Sequence, residues 1–300
     1  MDIRTQRKPS GRAWSPFMVC STHTLKSPKG RDIHYRIWDP GMRRKKGLVY
    51  LHDWGGGSLD FSVMAARIEN PDLSLFAWDA PGHGRSEPPA AEGLLPCLES
   101  LDVFLSEVTQ RHGIAPRDLF VYGDGWGADL LAAHLTRHPT DFRGILLQDP
   151  FVLESRRSVI GRLFPSFLEI WRRLPKEADG SPEHKPAYPP RRFSKDWSRS
   201  VAAILDGAPR IASPALLMCR EPRPGARSHP ERVFFERLGS PVKGYVPLYG
   251  NDPNPETLVL CETSAFLSRF AEAEWEPSAD PSSPPVPFRA PADDRGFEAS

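Results

Sequence analysis

The 300-residue chain predicts a mostly parallel, doubly wound α/β sheet with a helical insertion past its middle. Three observations carry that expectation. Apolar runs of strand length alternate with segments whose apolar residues recur at helical spacing, which is the pattern of a sheet covered by helices on both faces. Several runs, among them Gly47-Leu48-Val49-Tyr50-Leu51 and Gly144-Ile145-Leu146-Leu147-Gln148, are apolar throughout rather than alternating, as strands buried on both sides must be. Finally, Leu119 to Leu135 reads as strand, glycine-rich turn and helix without interruption.

In chain order, Ile33 to Trp38 alternates apolar and polar residues like an early edge strand, and Gly47 to Leu51 follows as a central one. A helix is expected from about Asp60, with Phe61, Met64, Ala65 and Ile68 on one face. Leu73 to Trp78 is the next strand, and Leu98 to Arg111 is a helix whose Leu101, Phe104, Leu105 and Val108 make the buried stripe. Leu119 to Tyr122 leads through the glycines into the helix Ala128 to Leu135. After Gly144 to Gln148 comes an insertion, from about Phe151 to Ala208, then a strand at Ala215 to Cys219. Lys243 to Leu248 is the last strand and Thr257 to Phe270 the closing helix. In such an open sheet, ligands sit beyond the carboxyl ends of the strands.

Residues 21–272 are expected to form one domain, with the insertion at about 151–208, because 39% hydrophobic content supplies one large core. Residues 1–20 read as a flexible arm. Residues 273–300, with Pro277, Pro281, Pro284, Pro285, Pro287 and Pro291 among Ser, Ala and Asp, read as a disordered tail that buries too little apolar surface to offset ordering. Lys and Arg total 39 against 38 Asp and Glu, so a net charge of +1 provides no field for nucleic acid or an anionic membrane. Cys20, Cys97, Cys219 and Cys261 show no CxxC or Cys/His spacing, which leaves no zinc motif or disulfide framework. No apolar run reaches signal-peptide or membrane-span length, so a cytoplasmic location is expected, without a cofactor or metal.

The chemistry turns on Gly123-Asp124-Gly125-Trp126-Gly127. The pattern G-x-S-x-G uses small flanking residues to bend a strand sharply into a helix, holding a strained central side chain above the sheet. Here the centre is Gly125, which has no oxygen, sulfur or carboxylate to attack anything. An ordinary surface loop and a phosphate-cradling turn are the competing readings. The second needs a Lys and a Ser or Thr at the helix start, and neither is present.

The chain is similar to the α/β-hydrolase superfamily, within it to the serine aminopeptidases and monoglyceride lipases, over roughly Thr22 to Phe270. The likeness rests on the elbow frame, on Trp38-Asp39-Pro40, on His52 with Gly55 to Gly57, and above all on Asp79-Ala80-Pro81-Gly82-His83-Gly84-Arg85-Ser86. The last is a tight turn whose Asp and His hold neighbouring loops, so its reading is structural and His83 is not taken as catalytic. The resemblance implies a nucleophile, an acid and a histidine in that chain order. They map onto Gly125, Arg223 and Asn251, none of which suits its role, and no histidine follows His229 to restore one.

The expected oxyanion loop and pocket are His52, Asp53, Trp54 and Gly55, with Trp126. Asp53 stands where the family has glycine, and a carboxylate beside a hole meant for a developing anion opposes it unless it points away or is protonated. Asp124 and Asp53 are weak substitutes for the missing groups; centring the elbow on Asp124 would put Tyr122 and Trp126 where small residues are required. His52 to Gly56 also looks like the nucleophile string of haloalkane dehalogenases, but its place before the DxPGHGxS turn makes it the oxyanion-side loop. His112, His134, His138, His184 and His229 are expected on helix surfaces or loops. The resemblance makes the insertion at about 151–208 a helical cap over the pocket, in which Leu163, Phe164, Phe167, Leu168, Ile170 and Trp171 suit an apolar or acyl ligand or simply pack the cap onto the sheet.

Three functions stay open. One is a non-catalytic hydrolase-like protein binding a small apolar ligand or a protein partner. Another is an active carboxylic ester hydrolase with a displaced catalytic set. The third is a non-hydrolytic enzyme on the same scaffold.

Overall fold

The computed structural model describes residues 19–39, 46–68, 70, 72–89, 93–139, 141–151, 191–220, 230–249 and 254–272. The expected arm and tail therefore lie outside the described residues, apart from Val19 and Cys20. So does most of the expected cap, of which Phe151 and residues 191–208 are described.

Eight strands form one sheet: β1 (Val19–Lys26), β2 (Asp32–Asp39), β3 (Lys46–Leu51), β4 (Leu73–Trp78), β5 (Leu119–Asp124), β6 (Gly144–Gln148), β7 (Ala215–Arg220) and β8 (Lys243–Leu248). Their spatial order is β1-β2-β4-β3-β5-β6-β7-β8. β2 runs antiparallel to both its neighbours, and every pair from β4 to β8 is parallel. After β4 the chain crosses back past β3 to lay β5 on its other side, and the carboxyl ends of β3, β5, β6 and β7 open on one side.

The helices among the described residues are α1 (Ser62–Ala65), α2 (Leu94–Gln110), α3 (Trp126–Arg137), α4 (Arg191–Gly207), α5 (Pro230–Arg237) and α6 (Pro255–Glu272). Two apolar cores lie on opposite faces of the sheet. One contains Val49, Leu51 and Val121 with Leu98, Leu101, Phe104 and Val108 of α2 and Leu130, Leu131 and Leu135 of α3. The other contains Leu48, Tyr50, Phe120 and Tyr122 with Val259, Phe266, Leu267 and Phe270 of α6. Alternate residues of β3 and β5 feed opposite cores, as the two-residue period of a strand requires. The central strands are apolar throughout for that reason.

Two elements differ from the sequence expectation. β1 was not expected, because its Val-Cys-Ser-Thr-His-Thr-Leu-Lys string is polar and Leu25 alone is buried. It is the true edge strand, and β2, expected at the edge, lies one place inward. The helix expected from Asp60 shrinks to a 3-10 turn, Ser58–Phe61, and the four residues of α1. Phe61, Ala65 and Ile68 are buried as expected.

At the far end of the sheet two cations close α6. Arg143, 8% exposed, donates from Nε to the Phe270 carbonyl at 2.5 Å and from Nη2 to the Ala271 carbonyl at 3.2 Å. Lys46 Nζ donates to the same Ala271 carbonyl. The last carbonyls of a helix lack intrahelical partners and carry the negative end of its dipole, so positive donors there are favourable. No helix among the described residues is long and apolar enough to cross a membrane.

Candidate functional site

The site forms where β5 bends into α3. β5 ends at Asp124, Gly125 caps α3, and Trp126 is its first residue. Gly125 has φ 50° and ψ −113°, a sparsely populated conformation in which a side chain would be strained. The flanking glycines are required by contact. A Cβ on Gly123 would meet the Ala128 Cα at 2.5 Å, and one on Gly127 would meet the Leu51 carbonyl oxygen at 2.1 Å. The sharp strand-to-helix turn read from the sequence is therefore present, with its strained centre occupied by a residue that feels no strain.

A carboxylate fills the space above that centre. A Cβ on Gly125 would stand 2.2 Å from Asp53 Oδ1 and 2.4 Å from Asp53 Cγ. Asp53 Oδ1 accepts the Trp126 backbone N–H at 2.8 Å. In an elbow of this kind the amide after the central residue is a donor to the oxyanion. Here a side chain of the chain itself takes that hydrogen. Of the two sequence alternatives for Asp53, pointing away is the one the geometry excludes.

The loop carrying Asp53 is held from behind. His52 is 1% exposed, and its Nε2 accepts the Ala80 N–H at 3.0 Å. Its Nδ1 is thereby left to donate to the Asp53 carbonyl, 2.7 Å away. The Gly56 N–H binds the same carbonyl at 2.9 Å. Trp54 and Trp126 meet edge to face at 4.9 Å, and His83 stacks on Trp126 at 5.1 Å. Burial, with His52 close by, drives the His83 pKa down to about 3, so its ring is neutral. His52, Trp54 and Trp126 thus form one aromatic wall beside Asp53.

Three further groups, Tyr50, Asp149 and Gln148, converge on Asp124 and the elbow, where sequence reading did not place them. Asp124 Oδ2 accepts the Tyr50 hydroxyl at 3.3 Å. Burial, followed by the negative charges of Asp53 and Asp149, pushes the Asp124 carboxyl up to about 7. Asp149, in a left-handed conformation at φ 46°, accepts the Arg220 N–H at 2.7 Å and faces Arg220 Nε at 3.1 Å. Burial raises its pKa while Arg220 opposes. Gln148 accepts the Gly125 N–H on its carbonyl at 2.8 Å, and its side chain accepts the Tyr122 hydroxyl. The pairing of β5 with β6 places Asp124 opposite Gln148, a neighbourhood that sequence distance conceals.

The DxPGHGxS turn is structural, as read. Asp79 Oδ1 accepts the Ser58 N–H at 2.6 Å and Oδ2 the Arg85 N–H at 3.0 Å. Ser86 Oγ donates to the Asp79 carbonyl at 2.6 Å and accepts the His34 N–H at 2.8 Å, tying the turn to β2. His83, expected to hold a neighbouring loop by a hydrogen bond, does not: among the described residues its ring bonds the Pro81 carbonyl, within its own turn, and otherwise packs on Trp126. His134 departs from expectation: it is 6% exposed, and its Nδ1 lies 2.8 Å from Asp102 Oδ1 between α3 and α2. Arg223, Asn251, His184, His229 and the cap aromatics lie outside the described residues. Among the described residues, no group of three or more His, Cys, Asp or Glu is arranged to hold a metal ion.

The strand order and the elbow define an α/β-hydrolase fold. The chain belongs to the serine aminopeptidase S33 family of that class, whose model matches residues 43–199. It is 24% identical over 139 residues to a monoglyceride lipase of Rattus norvegicus, covering 45% of this chain and 44% of that protein. It is 27% identical over 165 residues to a monoacylglycerol lipase of Mycolicibacterium smegmatis, covering 49% of this chain and 57% of the other. The matched stretch thus spans about half the length of these curated relatives.

Among solved structures, a soluble variant of the Saccharomyces cerevisiae monoglyceride lipase superposes with a TM-score of 0.62 at 13% identity, covering 88% of this chain and 99% of that one. A haloalkane dehalogenase variant from Bradyrhizobium elkanii gives 0.61 at 16% identity, covering 86% and 99%. Likeness at such identities speaks for the fold alone.

Proposed function

We propose that this chain is a non-catalytic member of its family that keeps the scaffold for binding, its ligand a small apolar or acyl molecule or a protein partner. The observation that carries the reading is Asp53 seated on the Trp126 N–H above a bare Gly125. Acyl transfer by this fold needs an attacking atom, a base to take its proton, and donors for the oxyanion. The elbow offers no attacking atom, its amide donor already holds a carboxylate, and the sequence has no histidine beyond His229. A negative charge at the oxyanion position raises the energy of the intermediate instead of lowering it.

Relatives named as monoglyceride and monoacylglycerol lipases make a monoacylglycerol the first ligand to test. The purified chain is treated with a fluorophosphonate probe, and separately with a monoacylglycerol and a short-chain aryl ester. The expected result is no covalent labelling and no hydrolysis above buffer. Stoichiometric labelling of any serine, or turnover of either ester, overturns the reading and restores an esterase with a displaced catalytic set.

A further inference from the structure

We propose that Asp53 and Asp124 form a charge-driven latch on the elbow. With one negative charge between them Asp53 stays on the Trp126 amide; with two, its side chain swings out and frees both the amide and the space above Gly125. This deepens the proposed function by giving the binding site a means of opening, and it rests on that reading of the site.

The geometry decides which carboxylate moves. Asp124 ends β5, is paired with Gln148 across the sheet, and receives the Tyr50 hydroxyl. It is fixed by the strand on which it sits. Asp53 lies in a loop with Gly55, Gly56 and Gly57, where its carbonyl is pinned by His52 and Gly56, while among the described residues its carboxylate is held by the Trp126 N–H alone. Rotation about its side-chain bonds therefore releases the elbow without disturbing the loop backbone. What this exposes is the Trp126 amide at the start of a twelve-residue helix.

The Tyr50 hydrogen bond and the charge of Arg220 favour the ionised form of Asp124, but burial and the charges of Asp53 and Asp149 outweigh them. Asp149, on the neighbouring strand end, is a third carboxylate, and it is tied to Arg220. Tyr50 and Tyr122 are pushed well above the ordinary phenol range by burial, so they stay neutral; Asp60 also faces Tyr50. His83 is neutral across the same range, and both ring nitrogens of His52 are engaged in hydrogen bonds. Asp124 gains its charge near neutrality, at about 7. Below that pH the latch is closed and above it open.

The sequence offers a clean reporter, because Gly125-Trp126 is its single Gly-Trp pair. Full-length protein labelled with carbonyl-13C glycine and 15N tryptophan gives one carbonyl-correlated amide peak, that of Trp126. Between pH 6 and 8.5 this peak is expected to move upfield as the charged hydrogen bond is lost, with a midpoint near 7. In Asp124→Asn it stays at the low-pH position throughout. In Asp53→Asn, which cannot ionise, most of the amplitude is lost, and what remains is the small shift that Asp124 imposes directly as it titrates. A peak that is stationary in the wild type, or a transition that persists at full amplitude in either variant, sinks the latch. Fluorophosphonate labelling would end the non-catalytic reading and leave this titration untouched, whereas a flat titration ends the latch alone.

Discussion

Restoring a side chain at Gly125 tests the central geometry most directly. Gly125→Ala places a Cβ 2.2 Å from Asp53 Oδ1 and 2.4 Å from Asp53 Cγ, where ordinary contact needs well over 3 Å, so the Asp53 carboxylate must leave. Losing a hydrogen bond to a charged group costs about 1.5–3 kcal/mol. Forcing a side chain into the conformation at φ 50° and ψ −113° adds roughly 1–3 kcal/mol. The expected loss of stability is therefore on the order of 2.5–6 kcal/mol. Asp53→Ala alone loses only the hydrogen bond, about 1.5–3 kcal/mol. Because Gly125→Ala already breaks that bond, the double variant is less destabilised than the sum of the singles, with a coupling of about 1.5–3 kcal/mol in a double-mutant cycle. Urea unfolding of the four proteins at pH 6 measures it. Additive effects, or a Gly125→Ala cost below about 1 kcal/mol, would refute the claim that Asp53 fills the space of the missing side chain.

Other perturbations follow from the same contacts. Asp124 binds its proton more tightly in the folded chain than in the unfolded one, so its contribution to stability is fully present below the ordinary carboxylate range near 4 and is lost as the pH rises through about 7. Every tenfold tightening of proton binding on folding is worth about 1.4 kcal/mol, and water reaching the partly open carboxyl trims the total; the urea midpoint should fall between pH 6 and 8, and less so in Asp124→Asn. Arg143→Met takes the side-chain donor from the Phe270 carbonyl and leaves the Ala271 carbonyl to Lys46, and should cost about 1.5–3 kcal/mol and speed amide exchange in the last turn of α6. Asp79→Ala strips the Ser58 and Arg85 amides of their acceptor, with an expected loss of about 3 kcal/mol by thermal or chemical unfolding.

The sheet was legible because its central strands are buried on both faces, which imposes apolar runs that few other elements produce. The elbow was legible for a steric reason: Gly123 and Gly127 stand where any Cβ would strike Ala128 or Leu51. β1 was not, since an edge strand with one buried residue carries almost no hydrophobic pattern. Asp53 could be flagged as foreign to its loop, but its direction is set by the Trp126 amide, 73 residues away in sequence. The meeting of Asp124 with Tyr50 and Asp149 was equally hidden, because strand pairing and not local spacing brings them together. Local rules yield the frame of such a site, and its electrostatics emerge only from the assembled sheet.

The bare bend at Gly125 also limits which substitutions the chain accepts. With no side chain at its centre, the left-handed turn carries no strain, and the free volume admits the Asp53 side chain from the facing loop. A side chain at this position has to arrive in a set order. A serine arriving first collides with Asp53, whereas shortening Asp53 first clears the way, so the pair resists a single-step gain of a side chain at the bend.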